Sequence, residues 1–178
     1  MLMDRKSKPM PDMLVKLYDL PDVASVSKSL ADQGILIRRA MPYEKHVVVD
    51  WVMETFNDAW AGECDVAFSN RPVSCFIATE AGQIIGFACH DSTCLDFFGP
   101  TGVVQTKRNL GIGKAMLLTC LHAMAAHGYA YAIVGGAGPA GFYANTVGAV
   151  PIEGSTPGIY RDLLRRKDAN KSDAGAGR

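Results

Sequence analysis

The sequence predicts one α+β domain in three layers, α/β/α, with a mixed and mostly antiparallel sheet between helices on both faces. Three observations carry this expectation. The 178 residues are about one domain long, enough for one substantial core and too few for a second. Two β-rich runs, Cys75 to Thr79 and Ile84 to His90, flank the short loop Glu80-Ala81-Gly82-Gln83 and read as an antiparallel hairpin. Between two further strand-like runs, apolar residues recur at helical spacing from Gly111 to about His127, with Gly128 as the stop.

The elements follow in chain order. Leu14 to Leu20 alternates weakly and is a short strand, and Val23 to Gln33 is a helix closed by Gly34. Residues 1–34 form an N-terminal arm on the core, which occupies 35–167. Ile35 to Arg39 is a strand. Pro42 opens a helix whose Val48, Trp51, Val52, Thr55 and Phe56 share a face and which runs to about Ala59. Trp60 to Pro72 has no clear periodicity and contains Gly62, Asn70 and Pro72, so an irregular surface segment is expected. After the hairpin, Thr93 to Val104 is a strand in which Gly99-Pro100 interrupts ladder pairing and predicts a bend or bulge. The long helix carries Ile112, Ala115, Met116, Cys120, Ala123 and Met124. Tyr129 to Val134 is a buried strand, Gly135 to Gly141 a glycine-rich turn, Phe142 to Val147 a short helix and Ala149 to Glu153 a last strand. The tail, 168–178, lacks an apolar face and is expected to be disordered.

Composition excludes several function classes. Lysine plus arginine and aspartate plus glutamate each total 18, so no global field draws the chain to nucleic acid or an anionic membrane. No apolar run approaches the roughly 20 residues that span a bilayer, and the start is charged rather than signal-like, which predicts a cytoplasmic protein. The five cysteines, Cys64, Cys75, Cys89, Cys94 and Cys120, contain no CxxC pair and are odd in number. They read as buried reduced thiols rather than a disulfide framework or zinc knuckle. His46, His90, His122 and His127 show no metal-ligand spacing, and no metal is expected.

The segment between the bent strand and the long helix reads Gln105-Thr106-Lys107-Arg108-Asn109-Leu110-Gly111-Ile112-Gly113-Lys114. The first amides of a helix have no intrahelical acceptor and lie at the positive end of its dipole, so a glycine-rich entry makes a pyrophosphate cradle. Lys107, Arg108 and Lys114 add positive charge. A Walker A loop is excluded, because it requires glycine where Arg108 stands and Ser or Thr where Ala115 stands. A dinucleotide fingerprint starting at Gly111 fails at Met116.

The remaining pattern, Arg108-x-x-Gly111-x-Gly113, resembles the Q/R-x-x-G-x-G/A signature of the GNAT acetyltransferase superfamily. Phe142-Tyr143 beyond the next strand is similar to that family's FYxKxGF element. The resemblance extends from about Ile35 to Leu164. It implies a sheet splayed at its centre, acetyl-CoA as co-substrate without a metal, and transfer of acetyl to an amine by direct attack. Pantetheine would lie along Gly102, Val103 and Val104. Pyrophosphate would sit on the loop of Lys107, Arg108, Asn109, Leu110, Gly111, Ile112, Gly113 and Lys114, with Phe142 beside the cofactor. Tyr143 matches the general acid that protonates the leaving thiolate, a sensible pairing since tyrosine has a pKa near 10.

The general base is not evident. Some relatives carry a glutamate eleven residues before the signature, where this chain has Phe97. Asp96 is the neighbouring candidate, although strand alternation turns it to the other face unless Gly99-Pro100 shifts the register. Asp91, His90, Glu44 and Glu63 are substitutes. Gly136 and Pro139 replace an asparagine and an alanine common in the family, which removes an asparagine contact to the cofactor, and the interval from Tyr143 to Gly148 is one residue longer. The acceptor is a small-molecule or peptide amine, its pocket drawn from 42–72 and the last strands, and a homodimer is compatible with the sequence. Two rivals stand beside this expectation. One is an acetyl-CoA-binding sensor without turnover. The other is a dinucleotide oxidoreductase using Gly136-Ala137-Gly138-Pro139-Ala140-Gly141, a full GxGxxG after a strand, with Glu153 as ribose acceptor.

Overall fold

The computed structural model describes residues 10–164; the tail expected to be disordered, 168–178, lies outside them. Seven strands form one sheet in the order β2-β3-β4-β5-β6-β1-β7. They are β1 (Met13–Lys16), β2 (Ile35–Arg39), β3 (Cys75–Glu80), β4 (Gln83–His90), β5 (Phe97–Val103), β6 (Tyr131–Val134) and β7 (Val150–Pro151). Five α-helices accompany them: α1 (Ala24–Ala31), α2 (Lys45–Thr55), α3 (Asp58–Ser69), α4 (Ile112–Ala126) and α5 (Ala140–Val147). Every pairing is antiparallel except β5 with β6, which is parallel.

Alternation along the hairpin sorts two cores. Phe76, Ala78 and Ala88 face α4 and join a core with Met116, Leu118, Leu121, Val15 and Phe98. Cys75, Ile77, Phe87 and Cys89 face the opposite way, against Val48 and Val52 of α2 and Ala61, Cys64 and Phe68 of α3. The sheet is therefore covered on both sides, the three-layer arrangement expected. Each fully buried large apolar side chain in these layers contributes roughly 1.5–3 kcal/mol.

The strand expected from Thr93 starts at Phe97, and the one expected over Ala149 to Glu153 is only Val150–Pro151; three other segments differ more. The helix opened near Pro42 starts as a 3-10 turn, Pro42–Glu44, and α2 stops at Thr55 rather than Ala59. Trp60 to Pro72 is mostly not irregular: α3 fills it to Ser69, capped by Asn57, whose side-chain oxygen accepts from the Trp60 amide at 2.8 Å. Its buried stripe, Ala61, Cys64, Ala67 and Phe68, is built largely of small residues, and Gly62 lowers helix propensity by about 1 kcal/mol, so the period is faint in the sequence. The first strand is shorter than Leu14 to Leu20 and lies inside the sheet, with β6 on one side and β7 on the other. β1, Met13–Lys16, is thus an interior strand of the sheet.

Candidate active site

The geometry starts with how β5 parts from β6. Only Phe97↔Ile133 and Phe98↔Val134 pair, so the stretch from Gly99 to Val103 continues along β4 with no partner on its other side. Two backbone features open this gap. Beyond Val134 the chain leaves the sheet for the glycine turn, and β5 carries a bulge: Ala88 pairs with Thr101 while His90 pairs with Phe98, so one extra residue stands on β5. The bulge sits at Gly99-Pro100 as expected, and it keeps Phe98 and Thr101 on the α4 face although three positions separate them. Gly102 faces the other way. A Cβ there would lie 2.5 Å from the Phe56 ring, which packs in a cluster with Trp51, Trp60 and Phe87. Gly102 is thus required by a close aromatic neighbour.

At the far end of β5 a 3-10 turn, Gln105–Lys107, leads through Asn109 (φ +68°) to Gly111 and into α4. Gly111 caps the helix at φ +88° with no side-chain hydrogen bond to the first turn. The first helical bond is Ala115 N–H to Gly111 C=O, which leaves the amides of Ile112, Gly113 and Lys114 without intrahelical acceptors. Gly113 is the informative residue. Its backbone is not in the left-handed region, and a Cβ there would meet nothing within 4 Å. Neither backbone conformation nor a protein neighbour calls for glycine at this position.

The other loop residues divide. Lys114, Arg108 and Asn109 are exposed, and Leu110 is 42 % exposed. The Arg108 Nε–H donates to Val103 C=O at 3.3 Å. Lys107 does not direct a free charge into the loop: its Nζ lies 2.6 Å from Glu80 Oε2 at the tip of the β3–β4 hairpin. Ile112 offers its amide only, because its side chain is buried in the α4 core. Val103 and Val104 pack on that same core, and the Val104 N–H donates to Ile85 C=O.

Tyr143, on α5, is 7 % exposed. Its ring meets Phe98 edge-on with centroids 6.4 Å apart, so it lies against the last β5–β6 pair, where the strands part. Phe142 packs edge-on against it at 5.1 Å. Burial alone pushes the Tyr143 hydroxyl up to about 12, which keeps it a proton donor at every working pH.

Among the carboxylates, Asp96 is not on the strand. It stands in the turn before β5 at φ +69°, so strand alternation does not orient it. Its amide donates to Asp91 Oδ1 at 2.7 Å, its Oδ1 is buried without a partner, and burial followed by the Asp91 charge raises its pKa. Glu44 is engaged by Arg38 at 2.6 Å and by the Met41 amide, and the Arg38 hydrogen bond holds its pKa down. His90 is fully buried with Nδ1 2.9 Å from Asp91 Oδ2, and burial lowers its pKa. Glu63 differs from all of these. It projects from α3, accepts a short hydrogen bond from Thr93 Oγ1 in the β4–β5 connection, and burial raises its pKa.

One group without a sequence signal stands near Glu63, and it in turn lies near a second. Tyr160, from the 3-10 turn Gly158–Tyr160, places its hydroxyl where a side chain at Gly135 would stand, against the ring of Phe97. Burial pushes Tyr160 up to about 12, and the charges of Asp12 and Glu63 act in the same direction. Asp12 just precedes β1, and its Oδ1 accepts the Gly136 amide at 2.7 Å. That last bond also bears on the GxGxxG run. The amide a pyrophosphate would need is held by a carboxylate, and α5 beyond it is only eight residues long. The run is a turn into a short helix, not a dinucleotide site.

Likeness to solved structures follows this geometry. A GCN5-related glucosamine N-acetyltransferase region in a fungal multi-domain GH3 β-N-acetylglucosaminidase superposes with a TM-score of 0.67 at 15 % identity, over 83 % of this chain and 20 % of that one. The fold is the GNAT fold. A GCN5-related N-acetyltransferase from Sphaerobacter thermophilus gives 0.58 at 19 % identity over 82 % of this chain and 50 % of its own. Another from Kribbella flavida gives 0.50 at 14 % over 81 % and 55 %. The chain therefore spans between a fifth and just over half of these GNAT-containing chains. No protein-family model matches it, and no curated protein matches it significantly. Among the described residues, no helix is long and apolar enough to cross a membrane.

Proposed function

We propose that the chain is an acetyl-CoA-dependent N-acetyltransferase that uses a primary amine as acceptor, by direct attack. The observation that carries this reading is Gly113. A glycine in the first turn of a helix that no backbone strain and no neighbour requires, beside three uncapped amides and an exposed Lys114, fits close approach of a diphosphate. The unpartnered edge of β5 from Gly99 to Val103 supports a place for pantetheine, with backbone groups to receive it. When bound, acetyl-CoA supplies the activated acyl group.

The residues divide the proton work between the two faces of the sheet. Glu63, with its raised pKa, takes a proton from the incoming ammonium or amine on the α3 side. Tyr143 Oη, on the α4 side, donates toward the departing sulfur. At about 12 it is a weaker acid than a free thiol near 8.5, so its part is a hydrogen bond that strengthens as negative charge grows. Tyr160 and Thr93 hold the surroundings of Glu63. Asp96 stays a secondary base candidate.

The test is thermal melting followed by turnover. Acetyl-CoA at about 100 times its dissociation constant stabilises the native state by roughly 2.7 kcal/mol, while NADH and ATP shift it much less. No shift at millimolar acetyl-CoA refutes the reading. Product masses after incubation with a library of amines then name the acceptor; binding without any transfer favours the sensor.

A further inference from the structure

Three cysteines that are distant in sequence meet under α3. Cys75 and Cys89 are direct cross-strand partners on β3 and β4, both facing the helix, and Cys64 of α3 comes down between them. Each is fully buried. The Cys64 and Cys75 sulfurs are 3.9 Å apart, and all three lie within 4.8 Å of one another. A three-coordinate centre that keeps a lone pair is pyramidal, and with bonds near 2.3 Å and angles of about 95–100° its sulfurs stand about 3.4–3.5 Å apart. The sulfurs, 3.9 Å apart at Cys64–Cys75 and all within 4.8 Å, reach that triangle by closing about 0.5 to 1.4 Å.

From this triangle we infer a binding site for a thiophilic, three-coordinate metalloid of the arsenite or antimonite type. Charge selects the class. Three thiolates around a divalent ion leave one net negative charge in an apolar core, where an uncompensated ion costs several kcal/mol. The charged side chain acting on Cys64 is Asp65, an acid already paired with Lys45 at 3.0 Å, so it offers no offset to that charge. Zinc also seeks four ligands. A trivalent centre gives a neutral complex. The exchange balances without any oxidant: three As–O bonds of arsenous acid break and three As–S bonds form. Each thiol proton leaves on a hydroxide, giving three waters. Entry requires α3 to lift, a local opening of one helix layer.

The experiment uses the reduced full chain carrying Cys94→Ser, which removes the exposed thiol. With sodium arsenite, native mass spectrometry is expected to give one arsenic per chain with loss of three hydrogens, together with a rise of several degrees in Tm. Cys64→Ala, Cys75→Ala and Cys89→Ala each abolish that species, and Cys120→Ala keeps it. Cadmium chloride binds at least about ten-fold more weakly. An adduct retaining hydroxyl, a three-hydrogen adduct persisting in Cys75→Ala, or cadmium binding as tightly as arsenite overturns the inference. X-ray absorption at the arsenic edge on the wild-type cluster reads the same point independently of how the variants fold. Three sulfur neighbours are expected, and two or fewer sink it.

Discussion

The two ends of the proposed reaction are built differently. The proposed cofactor side, from Val104 to Lys114, is one contiguous segment that offers backbone amides and glycines. The proposed acceptor side is gathered around Glu63 of α3 from Thr93 and Tyr160, three segments joined only by the fold. Backbone chemistry leaves a local pattern that survives in the sequence. Side-chain chemistry gathered from distant elements does not, and can move from one strand to another helix while the fold stays the same.

The sharpest attempt to break this comparison is Gly113→Asp. A carboxylate at the uncapped end of α4 repels a diphosphate and obstructs its approach, so acetyl-CoA affinity should fall below detection while far-UV circular dichroism is unchanged. Unchanged calorimetric affinity makes the glycine loop a mere helix entry.

Glu63→Gln tests the other half. Turnover is expected to fall by about 10² to 10⁴ with acetyl-CoA affinity retained. The pH dependence follows from the raised pKa. The wild-type rate should rise with pH through a value above the ordinary carboxylate near 4.3, and the variant should lose that limb. Stability has the opposite sign. The neutral carboxyl is the form burial favours, so its contribution is present at low pH and lost as pH rises through the native pKa. Glu63→Gln should therefore gain Tm relative to wild type near neutrality and none in acid. A variant with wild-type kcat moves the base to Asp96 or to solvent.

Tyr143→Phe keeps the packing against Phe98 and removes the hydroxyl. It should lower kcat by about 100-fold with little change in KM. Since Tyr143 is pushed up to about 12, no alkaline loss of rate from its ionisation is expected below about pH 11. Full kcat in the variant returns this ring to the core. The smallest effect belongs to Lys107→Ala, whose charge is already engaged by Glu80 at the surface. A change in acetyl-CoA affinity of only a few-fold is expected from titration, and a loss above about 100-fold would give the loop a cation that the geometry assigns elsewhere.

The hairpin, α4 and the bulged strand were legible because each is announced locally: a loop glycine between β-rich runs, a stripe of Met116 and Cys120 at helical spacing, and Gly99-Pro100 inside a strand. Tyr143 is singled out by a two-residue motif that follows the glycine signature after α4 and β6. α3 was missed because its buried stripe is Ala61, Cys64 and Ala67, residues whose apolar signal is small, and because Gly62 reads as a breaker. With α3 unread, Glu63 had no face to lie on. Tyr160 and Asp12 have no signal, since what joins them is the return of the chain from Gly154 onward to the residues just before β1. Cys64, Cys75 and Cys89 likewise look unrelated until the strand register and α3 set them together.

The interior position of β1 has a consequence for the order of assembly. Met13 to Lys16 are made before β2 to β5, yet their partner β6 begins at Tyr131 and β7 later still. During synthesis β2 to β5 can pair with near neighbours while this strand waits with both edges unsatisfied. The sheet can close around it only after nearly the whole domain has emerged, so the nascent chain carries an exposed strand template for most of its synthesis.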